Sequence, residues 1–247
     1  MALYTETAAC AIVCRHYLGL AVASALASWC FNLPPAAANQ MFDFVFHPAS
    51  YVHPDRLKLH LPAELVGCGV SNALVSQALQ SSLGLGDDVA LNLQDKTHRA
   101  ALLPAPALAT LALRLGLHQQ SHRMKLVILR SELTLLQKHL TPLDWDFVFA
   151  LQPAKALADA PLLDTAPMAD WPALLAQLGW RTLESACGGL PQSVGKRLLL
   201  KLPVVAQSQS LSAEHASALV HDIYPALVNQ WNPHWDADWL ALTSKNQ

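Results

Sequence analysis

Residues 42–60 read FDFVFHPASYVHPDRLKLH, and at this stretch the chain changes character. Ahead of it the sequence is Ala-rich and nearly free of charge, closing on Pro34-Pro35-Ala36-Ala37-Ala38 and then Met41. Behind it, helical patterns alternate with proline, first at positions 48, 54 and 62. Phe42 to Phe46 reads as extended. Pro54-Asp55-Arg56-Leu57 reads as a helix start, because proline suits a first helical turn, where no backbone donor is required. The boundary divides the chain into an Ala-rich extension, residues 1–40, and one folded domain, residues 41–247, of a size that buries a real core.

Charged residues make up 14% of the sequence, against roughly 25% in an average soluble domain. The hydrophobic share, 53%, is dominated by Leu and Ala. Such a composition fits a protein whose faces are covered by partners, and it equally fits plain Ala/Leu-rich residue usage. A net charge of -2, with no Lys/Arg run longer than Lys196-Arg197, provides no electrostatic footprint for nucleic acid. The five cysteines, Cys10, Cys14, Cys30, Cys68 and Cys187, include no CxxC pair. That usage belongs to a reduced cytosol, neither a disulfide framework nor a zinc site.

Residues 8–33, AACAIVCRHYLGLAVASALASWCFNL, carry the one targeting-like pattern. Its apolar run from Tyr17 to Phe31 is short of the roughly 20 residues a membrane span needs. Glu6 and Arg15 precede that run, whereas a signal peptide has a positive head. Three readings stay open: a signal or anchor, an Ala/Leu helix, and a natural start at Met41.

Helical patterns dominate the rest. Asn72 to Leu83 is a helix stopped by Gly84 and Gly86; Val89 to Leu93 is a short strand or an extended connector. Pro104 to His118 is a proline-started helix ending near Gly116. A second helix, from Ser121, carries Leu126, Leu129, Leu133, Leu136 and Leu140 at 3-4-3-4 spacing, so the two read as a helical hairpin. Trp145-Asp146-Phe147 marks a short helix before a loop through Pro161 and Pro167. Trp171 to Ala186 is helical up to Gly188-Gly189. Val194 to Leu202 is a helix in preference to a buried strand, since Leu and Lys are better helix formers. Ser212 caps a helix with Ala216, Leu219, Val220, Ile223, Tyr224, Leu227 and Val228 on one face and Pro225 kinking it. Trp231, Trp235 and Trp239 recur every fourth residue, a face to be buried on this domain or on a partner. The fold class is mainly α: a single irregular helical domain with a few short extended segments at most.

No catalytic constellation stands out. Gly189 to Lys196 is superficially like a phosphate-binding loop, but five residues separate its glycines instead of four, Arg197 replaces the metal-binding hydroxyl, and Pro191 removes a backbone donor. Gly67-Cys68-Gly69-Val70-Ser71-Asn72 has Asn where a dinucleotide fingerprint needs its third small residue. His118 and His122 have zinc-protease spacing without the Glu that acts as base. Cys187 has His215 and His221 as conceivable bases, but it precedes Gly-Gly at a helix end, where the dipole disfavours thiolate. His47, His53 and His234 around a metal define an alternative, a metal-dependent enzyme of unrecognised class. A membrane-anchored envelope protein held by residues 17–31 is another.

Three segments, in order, carry a resemblance: Phe44-Val45-Phe46-His47-Pro48-Ala49-Ser50-Tyr51-Val52-His53; then Leu113-Arg114-Leu115-Gly116-Leu117; then Gly195-Lys196-Arg197-Leu198-Leu199-Leu200-Lys201-Leu202-Pro203. Leu219-Val220 with Pro225 completes the set. With this aromatic, Pro-Ala and Tyr-x-His opening and its basic-leucine-proline close, the chain resembles the SctK family, also named YscK or PscK, over roughly residues 42 to 230. Members begin a few residues ahead of the aromatic segment, so the first forty residues here depart from the pattern. The resemblance implies a non-enzymatic, cytoplasmic scaffold of the type III secretion sorting platform, required for secretion and virulence, without cofactor or metal. It would be an adaptor in the injectisome's protein-transport machinery, peripheral to the inner membrane through protein-protein interaction alone. Its partners would be the cytoplasmic domain of the inner-ring protein SctD and the pod protein SctQ, and through SctL the SctN ATPase. Candidate partner-binding residues are Lys196, Arg197 and Lys201, otherwise a solvated helix face, and Trp235 and Trp239, otherwise internal packing.

Overall fold

Pro35 and the alanines behind it start a helix, inside the stretch read from sequence as the end of the Ala-rich extension. In the computed structural model, which describes residues 35–62, 70–86, 89–127, 130–150, 166–205 and 211–244, helix α1 runs Pro35–Phe46. The extended reading of Phe42 to Phe46 is therefore corrected. Proline is at home in a first turn, alanine has the highest helix propensity, and the helix buries Met41, Phe44 and Val45. The apolar run 17–31, Gly67-Cys68-Gly69 and the loop around Pro161 lie outside the described residues.

Twelve α-helices and three short 3-10 turns form the secondary structure of the described residues, with no strand among them. After α1 come α2 (Pro54–His60), α3 (Asn72–Leu83), α4 (Lys96–Leu102), α5 (Ala105–Gln119) and α6 (Ser121–Lys125). There follow α7 (Arg130–Leu136), α8 (Pro142–Ala150), α9 (Trp171–Ala186), α10 (Gln192–Lys201), α11 (Ala213–Trp231) and α12 (Trp235–Ser244). None of the described helices is long and apolar enough to cross a membrane. Two compact units emerge. The first draws on the described residues within 35–103, 190–204 and 228–244, the second on those within 104–189 and 205–227.

In the first unit α10 packs on α2 and α4, α1 packs on α4, and α3 packs on the Pro48–Ser50 turn. Ser76 of α3 accepts from the Ala49 backbone N–H at 3.1 Å. Gln80 Nε2 reaches back to the carbonyls of Val45 and Phe46 at 3.3 and 3.2 Å. Gly84 ends α3 with φ +58°, a left-handed cap that glycine adopts without strain. Val89 to Leu93, left open as strand or connector, is a connector.

The second unit is organised by α5 against α9. Leu108, Leu111 and Leu115 on one helix and Leu175 and Leu183 on the other are fully buried. The crossing is set by glycine. A Cβ on Gly116 would fall into the Leu175 carbonyl, and a Cβ on Gly179 would fall into the Ala112 carbonyl. The helices thus meet backbone to backbone, closer than side chains usually allow. Gln119 Nε2 donates across the crossing to Thr182 Oγ1 at 2.8 Å. Helix α8 opens with a reciprocal cap: Thr141 donates N–H and Oγ1–H to Asp144 Oδ2 at 2.8 and 2.7 Å, and Pro142 takes the first turn.

The leucine repeat does not form one helix. Helix α6 ends at Lys125, where Leu126 and Val127 donate to Arg123 and Met124 at three-residue spacing, a tightened terminal turn. Leu126 is exposed while Leu136 and Leu140 are buried, so the period divides over separate pieces. The β-branched pair Val127-Ile128 interrupts the better helix formers around it. The tryptophan series is also split: Trp231 ends α11 and Trp235 begins α12.

Gly-to-Ala changes inside exposed helices raise stability by about 0.5–1 kcal/mol. At Gly116 or Gly179 the sign reverses, with an expected loss of about 1–3 kcal/mol read from the denaturation midpoint in urea.

Candidate functional site

Every helix ends with carbonyls that lack intrahelical donors and carry partial negative charge. When such ends are buried, cations can supply the donors. Helix α10 does this three times. Lys196 Nζ donates to Leu83 O, at the end of α3, at 2.7 Å. Arg197 lies wholly inside, at 0% exposure. Its Nε donates to Phe44 O at 3.1 Å, its Nη2 to Val45 O and Gly86 O at 3.1 and 2.8 Å, and its Nη1 to Ser193 O at 3.1 Å. Lys201 Nζ closes α4, donating to Ala101 O at 2.8 Å and Leu103 O at 3.1 Å.

The ammonium of Lys201 also lies 4.9 Å from the Phe44 ring centroid and 5.1 Å from that of Tyr51. Those aromatic faces return part of the lost hydration. Burial still dominates, lowering the Lys201 pKa to about 7. Tyr51 OH donates to Phe44 O at 2.8 Å, and burial raises its pKa above the ordinary phenol value.

Other carbonyls of the unit are met by side-chain donors in the same way. Arg56 of α2 donates to Leu202 O and Pro203 O at 3.3 and 3.4 Å. Gln40 of α1 donates to Leu102 O. Arg99 of α4 donates to Leu93 O and Gln94 O and pairs through Nε with Asp236 Oδ1 at 2.9 Å. Arg56, Arg99, Gln40 and Gln80 were not singled out from sequence. The available signal was in α10 itself: three cations on an apolar helix that contains no acidic residue.

The five candidate partner-binding residues are accordingly placed as follows. Lys196 is half-buried, while Arg197 and Lys201 are buried, so the basic set is no solvated face. Trp235 and Trp239 are buried at 6% and 0% exposure, and the three tryptophans pack edge to face, 5.1 Å from Trp231 to Trp235 and 5.5 Å from Trp235 to Trp239. Four of the five thus form the interior of the first unit. The ion pair of Arg99 with Asp236 adds a link beside the tryptophans.

The histidines take local roles. His47 Nδ1 faces Asp43 Oδ1 at 3.0 Å, His53 Nδ1 accepts from the Asp55 N–H at the start of α2, and His234 is exposed. No group of three metal-capable side chains exists among the described residues. In the second unit burial lowers the His118 pKa. Gly189 and Pro191 bracket a helix stop and restart, with α10 beginning at Gln192 and Gly195 inside it, unlike a phosphate loop. Cys187 is half-buried, and its thiol donates to Leu183 O at 3.2 Å.

Two stability outcomes follow from the basic helix. Arg197→Met removes a donor shared by four carbonyls, of which Phe44 O keeps Tyr51 and Val45 O keeps Gln80, with an expected loss of about 1–3 kcal/mol in urea unfolding. For Lys201 the sign comes from proton counting. With a folded pKa near 7 and an unfolded value of 10.5, the unfolded chain binds more protons between those limits. Stability contributed by this site therefore rises with pH from 7 towards 10.5. Lys201→Met should remove that rise, measured as the difference in unfolding midpoint between neutral and alkaline pH.

A family model described as bacterial type III secretion apparatus protein (OrgA_MxiK) matches residues 41–230. No curated protein and no solved structure matches the chain. The matched span contains α2 to α10, nearly all of α11, and the Met41, Phe44 and Arg197 around which the first unit closes. The chain belongs to the OrgA/MxiK family of bacterial type III secretion apparatus proteins, the family of SctK.

Proposed function

We propose that this chain is a non-enzymatic adaptor of the type III secretion sorting platform, standing at the cytoplasmic face of the inner-membrane base. It links the cytoplasmic domain of SctD to SctQ, and through SctL to the SctN ATPase, and makes no covalent change in any of them. The observation that carries the reading is the family match over residues 41–230. Two features support it. Many of the cations of the first unit engage helix ends, a structural use of charge that leaves the outside sparsely charged. Large apolar side chains remain outside, among them Leu59, Leu74, Leu143 and Phe149, as a protein with several covered faces requires.

Full-length chain should co-purify with the SctD cytoplasmic domain and with SctQ, each tested alone. Deleting its gene should abolish secretion while purified SctN retains its ATPase rate. Absence of binding to both partners would overturn the adaptor reading.

A further inference from the structure

Asn92 ties the irregular segment between α3 and α4 into the first unit. Its carbonyl accepts from the Asp95 N–H at 3.0 Å and its Oδ1 from the Gln94 N–H at 3.1 Å, which folds the turn ahead of α4. Its own N–H is used differently. It donates at 3.0 Å to Nδ1 of His98, a side chain in the first turn of α4. A backbone N–H only donates, so this bond exists only while Nδ1 keeps its lone pair. A proton there would set two donors face to face.

The surroundings hold that imidazole neutral. His98 is 8% exposed. Burial pushes its pKa below the ordinary histidine value, and the Asp95 carboxylate acts against that shift. The other charged groups around α4 have tasks of their own. Lys96 and Arg99 flank His98 along the chain, and Arg99 serves Leu93 O, Gln94 O and Asp236 of α12. From α10, Lys201 serves Ala101 O and Leu103 O, while Lys196 and Arg197 serve carbonyls elsewhere. From α1 comes Asp43, 3.0 Å from His47.

We propose that His98 and Asn92 form an acid-operated catch: a proton on Nδ1 releases Val89 to Asn92 from the body of the first unit. Arg99, whose guanidinium does not titrate, still holds Leu93 O and Gln94 O and keeps the root of the segment in place. Val89, 6% exposed in the closed form, is then uncovered. The opening is local, since Gln40 and Lys201 keep the carbonyls at the other end of α4. This catch is independent of the adaptor reading.

Above 6.5 the imidazole is neutral whether the catch is closed or open, and closure is fully favoured. As the pH falls from there towards the lower value of the closed form, the open form binds the proton first. Closure then weakens by up to roughly tenfold per pH unit. Lys201 titrates outside this window, between about 7 and 10.5.

NMR on the full-length wild-type chain reads both partners. The His98 ring is expected to show an unprotonated Nδ1 at neutral pH and a titration midpoint below 6.5. The Asn92 amide signal should move with the same midpoint. Its hydrogen-exchange protection, corrected for the intrinsic effect of pH, should fall through that midpoint while α10 amides stay protected. His98→Asn places Oδ1 where Nδ1 stood, an acceptor that takes no proton in this range, so Asn92 protection should become independent of pH. Reading the response at Asn92 separates it from His118 of the second unit, whose pKa burial also lowers. If the variant does not fold, the wild-type titration decides alone. A midpoint at or above 6.5, Asn92 protection that stays flat through the midpoint, a His98→Asn chain that keeps the wild-type pH response, or α10 amides lost together with Asn92 would overturn the catch.

Discussion

The first unit depends on one buried guanidinium. Arg197 gathers carbonyls from the end of α1, from the segment after α3 and from its own helix, so the positions of those pieces are set by the reach of a single planar fork. The requirement behind it is general. A fold made of many short helices has many ends, and a buried end without donors is costly. Among the described residues, five Lys and Arg side chains, Arg56, Arg99, Arg114, Arg197 and Lys201, are buried. A chain already poor in charge is left with fewer cations outside.

The second unit meets a similar demand by other means. Its central crossing uses glycine to bring backbones together, and its buried Arg114 lies 4.0 Å from Asp144 and 5.3 Å from the Phe147 ring. Asp144 serves twice, as the capping carboxylate of α8 and as the neighbour of Arg114, which keeps the latter charged against a burial that lowers its pKa. Capping and ion pairing coincide at one residue.

Much of the helical fold was legible in the sequence, because proline starts, glycine stops and apolar periods are local signals. The helix Trp171–Ala186, the stop at Gly84 and the helix ahead of Pro203 are of this kind. Where local signals conflicted, tertiary burial decided: Phe42 to Phe46 has aromatic and β-branched residues that favour extension, yet Phe44 and Val45 are buried as part of a helix. The 3-4-3-4 leucines failed for the opposite reason, since spacing says nothing of what interrupts it. Lys196, Arg197, Lys201, Trp235 and Trp239 were named from sequence as candidates for partner binding, but their surroundings were not legible, and four of the five are buried. Charge reads as surface by default, and a sequence does not show which distant carbonyls await Lys196, Arg197 and Lys201. The family resemblance to SctK, carried by the aromatic opening and the basic-leucine segment, reached the family that the match over residues 41–230 shows.

The crossing of α5 and α9 has a mechanical side. Most helix pairs are separated by side chains that rotate and compress, and these give a contact some compliance. At Gly116 and Gly179 no side chain intervenes, and the facing carbonyls of Leu175 and Ala112 bear directly on the opposing backbone. Sliding either helix by a residue would bring a Cβ into that contact, so the register is locked. A pull along α5 is therefore delivered to α9 almost without slack, and this helix pair behaves as a strut within its unit.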